Sequence, residues 1–224
     1  MTAHETPANL LHKNEVARLN ALYQYEIVDT PPENGFDTLA LLAATIFDSE
    51  QAHICFVDEH RIFYKTSTGN TQYITNREDS PCAISVADKK VIVLNNEHKF
   101  SKEIDFYIAA PIINKEGFAL GTIAVTDNKP HPEVSDQQLK MLEMLAILVM
   151  ENLETRLTGK KTATIYQERL RSLAHDIKNP VTSISLYAQL LSSKEMNSAK
   201  VFSMAERIEN SSKRIEEKLN SLFI

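Results

Sequence analysis

Apolar residues along this chain follow two different periods, and the change between them divides the sequence into regions. Residues 14–25 and 33–47 place apolar side chains every three or four positions, which predicts two amphipathic helices. Between residues 51 and 126 the apolar residues stand in short runs separated by polar turns, which predicts strands. The helical period returns near residue 136. This order predicts an α+β fold followed by a helical C-terminal region.

Strands are predicted at 51–58, 61–66, 91–94, 106–113 and 118–126. The first two are close enough in sequence to form a hairpin across Glu59 and His60, and the last two form a second hairpin across residues 114–117. Pro111 cannot donate a backbone hydrogen bond, so it predicts a sheet edge or a bulge in its strand. We therefore expect an antiparallel sheet flanked by helices.

An exit helix follows the strands. Residues 135–138 have the form of a capping box, which predicts a helix from there to about Arg156. The polar stretch 158–162 interrupts its apolar pattern, and Gly159 predicts either the end of the helix or a soft point in a continuous one. We favour a nearly continuous parallel coiled coil across a dimer, weakest at Gly159. The apolar positions of this helix are Leu139, Leu142, Leu145 or Ala146, Val149, Leu153 and Leu157.

The C-terminal region predicts two further amphipathic helices joined by a polar loop at residues 192–197. Antiparallel packing makes them a helical hairpin, which buries too little apolar surface alone, whereas two copies that pair as a dimeric four-helix bundle bury a full seam. The first of these helices carries apolar residues on one face at Leu170, Leu173, Ile177, Val181, Ile184, Tyr187 or Ala188, and Leu191. The predicted boundaries are 12–157 for the first domain, 158–165 for a linker within a helix, and 166–224 for the hairpin.

His175 stands on the polar side of the first hairpin helix. It lies two residues from both Leu173 and Ile177, which places it about 200° around the helix from the apolar face. An exposed imidazole has a neutral, nucleophilic fraction at physiological pH. Most exposed histidines are ordinary surface residues, so the surrounding string decides the interpretation.

The string His175-Asp-Ile-Lys-Asn-Pro180 resembles the H-box of sensor histidine kinases, and residues 166–224 resemble the dimerisation and histidine-phosphotransfer (HisKA) domain of that family. The resemblance implies that His175 is the phosphoacceptor and that Asp176 is the base that assists its attack. It also implies that Asn179 positions water in a phosphatase reaction. For Lys178 we favour an ordinary solvated lysine.

Residues 12–155 resemble a GAF domain through Leu19–Leu22, Tyr25–Pro32, Ala109–Ile112 and Ala119–Asp127. Related GAF domains often carry Phe-Cys-Ala-His in the middle, whereas this chain has Ser80-Pro-Cys-Ala-Ile84, so we do not expect a bilin on Cys82. The family binds cyclic nucleotides and other small molecules, and it also serves only for dimerisation and coupling. Ligand binding and a purely structural role are therefore both open hypotheses for this domain, and the resemblance identifies no cofactor-binding residues.

We expect no metal site. His53, His60, His98 and His131 show no ligand spacing, and Cys55 falls in the middle of a strand, which favours a small core residue.

The composition narrows the class of protein. The 224 residues carry a net charge of −6, which argues against nucleic-acid binding. The two cysteines form no C-x-x-C pair, residues 1–9 lack an apolar signal, and no apolar stretch is long enough to span a membrane. We therefore expect a cytoplasmic protein.

The sequence contains no glycine-rich nucleotide loop, and no ATP-binding domain follows the hairpin, so we expect no autonomous kinase activity. We expect ATP and Mg²⁺ to act only through a partner.

These observations predict a two-component signal transduction protein, in which a GAF sensor is coupled to a phosphoaccepting histidine. Phosphate would pass to or from a response regulator receiver domain, with a separate histidine kinase as a further partner, and the chain would be a homodimer. One alternative is a non-catalytic interaction module in which His175 is a relic. Another is a fragment of a full sensor histidine kinase.

Overall fold

A computed structural model of the protein describes residues 14–69, 76–95, 104–193 and 197–220. The chain divides into two compact units, and the division falls between Thr158 and Gly159. The elements are α1 Glu15–Gln24, α2 Asn34–Ile46, β1 Gln51–Val57, β2 Ile62–Ser67, α3 Pro81–Asp88, β3 Ile92–Asn95, β4 Phe106–Ile113, β5 Ala119–Asp127, α4 Asp136–Ser193 and α5 Ser198–Asn220.

The first unit contains a five-stranded antiparallel sheet with the order β2-β1-β5-β4-β3. This sheet and its flanking helices confirm the predicted GAF-like α+β fold, including both hairpins. Strand β4 is internal, but β3 pairs only with its residues 106–109. Pro111 lies beyond that point, where β3 does not cover the strand, and a register shift follows between Ile112 and Ile113. The local edge position therefore accommodates the missing N–H.

Successive strand residues point to opposite faces of the sheet, and each face carries a separate apolar cluster. The larger cluster contains side chains of α1, α2, α4 and the strands, among them Phe36, Phe56 and Leu120, all fully buried. The smaller cluster lies under α3 and includes Cys55 and Cys82. Burying a large apolar side chain contributes about 1.5–3 kcal/mol, so the larger cluster dominates the stability of this unit.

Helix α3 was not among the predicted elements. Ser80 is its N-cap, and the Ser80 side chain accepts a hydrogen bond from the backbone N–H of Cys82 at 3.3 Å. Pro81 occupies the first turn, where its missing N–H costs nothing. The Ser-Pro pair was the available sequence signal, because both residues are favoured at the start of a helix.

Helix α4 begins at the predicted capping box and continues far beyond Arg156. The side chains of Ser135 and Gln138 exchange hydrogen bonds with each other's backbone N–H at 3.3 and 3.1 Å, which confirms the capping box. The helix runs without interruption through Gly159.

The apolar stripe that we assigned to a coiled coil instead packs into the core of the first unit, where Leu142, Val149 and Leu153 are fully buried. That assignment was wrong for this part of α4. The first unit needs these side chains because an apolar sheet face must be buried against another element, and α4 packs there. On other faces of α4, Met144 and Ile147 are about 60% exposed, at 63% and 60%.

In the second unit, the C-terminal part of α4 and helix α5 form the predicted antiparallel hairpin. Lys218 contacts Asp176 at 2.9 Å, and Arg207 contacts Tyr187 at 3.0 Å. The residue that comes earlier on α4 contacts the one that comes later on α5, so the two helices are antiparallel. No described residue of α5 is buried within one chain.

Several expectations concern residues outside the described ranges: the polar N-terminus, the segment between Asn95 and Ile104, and residues 194–196 of the predicted loop. Among the described helices, none combines the length and the apolar character that crossing a membrane would require.

Candidate functional site

The predicted phosphoacceptor His175 lies on helix α4, and 73% of its side chain is exposed. Leu173 and Ile177, two residues away on either side, are half-buried in the hairpin. The helical period therefore puts the apolar stripe in the hairpin and turns the imidazole to solvent.

Asp176 links His175 to the second helix of the hairpin. Its Oδ1 atom lies 3.8 Å from His175 Nδ1, an ion-pair distance that is longer than a hydrogen bond. Its Oδ2 atom accepts a hydrogen bond from Lys218 Nζ at 2.9 Å. The hydrogen bond and charge of Lys218 hold the pKa of Asp176 below its ordinary value, so the carboxylate stays ionised to lower pH than a free aspartate does. Sequence reasoning missed Lys218, because only the packing of the two helices brings it to this place.

Asn179 lies one helical turn after His175 and is also exposed. Pro180 follows it and has no N–H, so the backbone carbonyl of Asp176, four residues earlier, receives no helical hydrogen bond. The structure thus places His175, Asp176 and Asn179 within little more than one turn, with Lys218 beside them. This arrangement can orient an imidazole and keep a carboxylate next to it.

A charge network in the first unit connects the sheet to helix α4. The side chain of Lys65 on β2 is fully buried, and its ammonium group donates a hydrogen bond to Glu33 at 2.7 Å. Arg156 on α4 donates to the same carboxylate oxygen at 2.8 Å. Burial raises the pKa of Glu33, but the hydrogen bonds and charges of Lys65 and Arg156 outweigh it, and the pKa lies below its ordinary value. Arg156 stands two residues before the boundary between the units.

The first unit also brings together three groups that could bind a metal. The ligand atoms of His53, Cys55 and Cys82 all lie within 4.8 Å of one another, and all three residues are buried. Burial raises the pKa of the Cys55 thiol well above its ordinary value, and the neighbouring sulfur of Cys82 adds to this. Sequence reasoning missed this cluster. Its signal was the i, i+2 spacing of His53 and Cys55, which places both side chains on one face of a strand.

The family models match both units. The model described as "GAF domain" matches residues 31–153, more than half of the chain, and the model described as "His Kinase A (phospho-acceptor) domain" matches residues 166–223. Together these two domains support a sensor and phosphotransfer role in signalling.

Among curated proteins, the chain is 27% identical over 154 residues to a cyclic di-GMP phosphodiesterase of Pseudomonas aeruginosa. The match covers 64% of this chain and 26% of that protein, so the chain spans about a quarter of the length of this relative.

The solved structures that are similar to the chain include two GAF domains. One is the GAF domain of a phosphoenolpyruvate-protein phosphotransferase from Acinetobacter, with 13% identity, a TM-score of 0.48, and coverage of 64% of this chain and 94% of that one. The other is the GAF-B domain of DevS from Mycobacterium smegmatis, with 10% identity, a TM-score of 0.49, and coverage of 58% and 97%.

Proposed function

The chain belongs to the GAF-domain family and carries a His Kinase A phospho-acceptor domain after it, and on this basis we propose that it is a cytoplasmic two-component signalling protein. In this proposal the GAF unit is the sensor, and His175 exchanges phosphate with the receiver domain of a response regulator. The observation that carries the proposal is the exposed His175 beside an Asp176 that forms an ion pair with Lys218, inside the segment that the phospho-acceptor model matches.

The proposed chemical step is an in-line displacement at phosphorus. Asp176 lies on the Nδ1 side of His175, so Nε2 is the attacking nitrogen. A bond forms between Nε2 and the phosphorus of an aspartyl phosphate on the receiver, and the bond from phosphorus to the receiver's carboxylate oxygen breaks. Asp176 stabilises the positive charge that develops on the imidazole. Mg²⁺ held by the receiver neutralises the phosphoryl oxygens.

A homodimer is part of the proposal. The hairpin of one chain leaves Leu170, Val181, Phe202 and Leu219 between 41% and 74% exposed, and no described residue of α5 is buried. Exposed apolar side chains along two helices are satisfied when a second hairpin packs against them as a four-helix bundle.

The charge network around Glu33 gives the sensor a physical connection to the signalling helix. A change in the GAF unit that moves Glu33 or β2 acts on Arg156 and hence on α4, because the three side chains share one carboxylate oxygen. We propose that this connection transmits the GAF input towards His175.

The test is transfer of phosphate from a receiver domain. The full chain is incubated with purified receiver domains that carry radiolabelled phosphate on their aspartate. We expect acid-labile label on the wild-type chain and on a His60→Ala control, since His60 is also exposed, at 88%. We expect none on His175→Ala. Loss of phosphate from the receiver without stable label on the chain would indicate phosphatase action, and Asn179→Ala should then abolish it.

The second candidate is a non-catalytic interaction module, favoured by the same exposed apolar faces of the hairpin. It predicts no transfer and no phosphate loss with any receiver, and unchanged biological activity in His175→Ala. Either result would contradict phosphotransfer at His175.

A further inference from the structure

The buried cluster on the α3 side of the sheet has the composition of a metal site. His53 and Cys55 project from β1, and Cys82 comes from the first turn of α3. Cys55 Sγ lies 3.0 Å from Cys82 Sγ, and Cys82 Sγ lies 4.0 Å from His53 Nε2. Two thiols and one imidazole on two different elements thus converge on one point in a core where each is at most 2% exposed.

His53 is the group that the surrounding protein does not explain. Its Nδ1 atom is buried and has no hydrogen-bond partner among the described residues. Its Nε2 atom lies 4.0 Å from the Cys82 sulfur, which is a long contact. Buried polar groups are normally satisfied, so an imidazole in this position points to a ligand.

The donor set selects the kind of ligand. Two thiolates and a neutral imidazole are typical ligands of Zn²⁺, and the two negative charges balance the divalent cation, which makes the complex neutral in a dry core. Tetrahedral Zn²⁺ requires about 3.8 Å between two sulfurs and about 3.6 Å between sulfur and nitrogen. The distances of 3.0 and 4.0 Å differ from these by less than 1 Å, within reach of side-chain rotation.

Two hydroxyl groups complete the surroundings. Tyr107 Oη lies 3.0 Å from Cys82 Sγ, and Thr122 Oγ1 lies 3.3 Å from Cys55 Sγ. Such hydrogen bonds fix the orientation of thiolate ligands, and the Tyr107 hydroxyl can supply the fourth ligand. A Cys55–Cys82 disulfide explains the geometry less well. A disulfide would remove the thiol that His53 contacts and would supply no new ligand or hydrogen bond to the buried imidazole.

We propose that His53, Cys55 and Cys82 bind one Zn²⁺ ion inside the GAF unit. Binding forms one bond from zinc to each sulfur and one to a nitrogen of His53, and it releases the two thiol protons to solvent. The site is independent of His175, so it gives the sensor unit a ligand of its own.

The test uses the full chain, reduced and freed of metal with a chelator, and then titrated with Co²⁺ without oxygen. Tetrahedral Co²⁺ reports this kind of site through a thiolate-to-cobalt charge-transfer band and intense visible bands. We expect saturation at one equivalent, with Zn²⁺ displacing the cobalt. Cys82→Ser and His53→Gln should weaken binding at least about a hundredfold, since losing even an indirect ligand partner costs about 10–100-fold. The control His60→Gln should bind as the wild type does.

A second measurement distinguishes the loss of a metal ligand from a failure of the variant to fold. Zn²⁺ should raise the melting temperature of the wild type and of His60→Gln, and leave that of Cys82→Ser unchanged. Circular dichroism of the metal-free variants checks the fold. Three results would overturn the proposal: no charge-transfer band, unchanged affinity in His53→Gln, or conversion of both thiols to a disulfide that forms equally well in the presence of zinc. No step of this test involves phosphate, so its failure is separate from failure of phosphotransfer.

Discussion

Glu33→Gln should destabilise the GAF unit, because it removes the carboxylate that faces a buried ammonium group. Lys65 is fully buried and donates to Glu33, Thr30 Oγ1 and the Pro31 carbonyl, of which Glu33 is the charged partner. Breaking a buried ion pair by removing one partner costs about 3–5 kcal/mol. Glu33 itself is 36% exposed, and the Gln oxygen still accepts one hydrogen bond. We therefore expect a loss of about 2–3 kcal/mol.

The assay is urea unfolding of the full chain, followed by near-ultraviolet circular dichroism of tyrosine, because the chain has no tryptophan. The same change should lower the melting temperature by about 5–10 °C for a unit of this size. Glu133→Gln is the matched control, since Glu133 is exposed, and it should stay within about 0.5 kcal/mol of the wild type.

A double-mutant cycle with Lys65→Met separates the ion pair from other effects of the substitution. Lys65→Met removes the buried charge, so Glu33→Gln should cost at least about 1.5 kcal/mol less in that background. Equal costs in both backgrounds would show that Glu33 does not stabilise the buried Lys65 charge, as would a Glu33→Gln variant as stable as the control.

The dependence on pH has a defined sign. The pKa of Glu33 lies below its ordinary value of 4.5 in the folded protein, so the unfolded chain binds the proton more readily. The stabilisation by Glu33 is present above pH 4.5 and is lost as the pH falls through the lower folded pKa. The difference in stability between wild type and Glu33→Gln should shrink over that range.

Three further predictions concern other parts of the chain. Gly121→Ala should cost at least about 3 kcal/mol in urea unfolding, because the new Cβ would meet backbone atoms of β1, including Phe56 Cα at 2.8 Å. Gly159→Ala meets no atom within 4 Å and should stiffen α4 by about 1 kcal/mol of helix propensity; unchanged signalling output in that variant would argue against a hinge. Lys218→Met should raise the pKa of Asp176 towards its ordinary value, because the hydrogen bond and charge of the ammonium group are removed; an NMR titration in which the carboxyl pKa does not move would remove Lys218 from the site.

The sequence predicted the elements whose signal is local. The apolar run along β1 and the capping box at Ser135 depend on neighbouring residues, and both agree with the structure. The exposure of His175 followed in the same way from its position relative to Leu173 and Ile177.

What the sequence did not predict depends on packing between distant segments. The apolar stripe from Leu139 to Leu157 has the same period whether it packs on a sheet or on another helix. In this structure it packs against the sheet. Lys218 meets Asp176 only through the hairpin, and Cys82 meets His53 only because α3 covers the sheet. Such pairs have no spacing rule in one sequence, since the fold alone sets their distance.

Phosphotransfer at His175 is tested most directly by locating the phosphate on the chain. After incubation with a phosphorylated receiver domain, the chain is digested at neutral pH and its phosphopeptides are identified by mass spectrometry. We expect one acid-labile phosphoryl group on His175, absent in His175→Ala and retained in His60→Ala. Phosphate on another residue, or transfer that persists in His175→Ala, would contradict it.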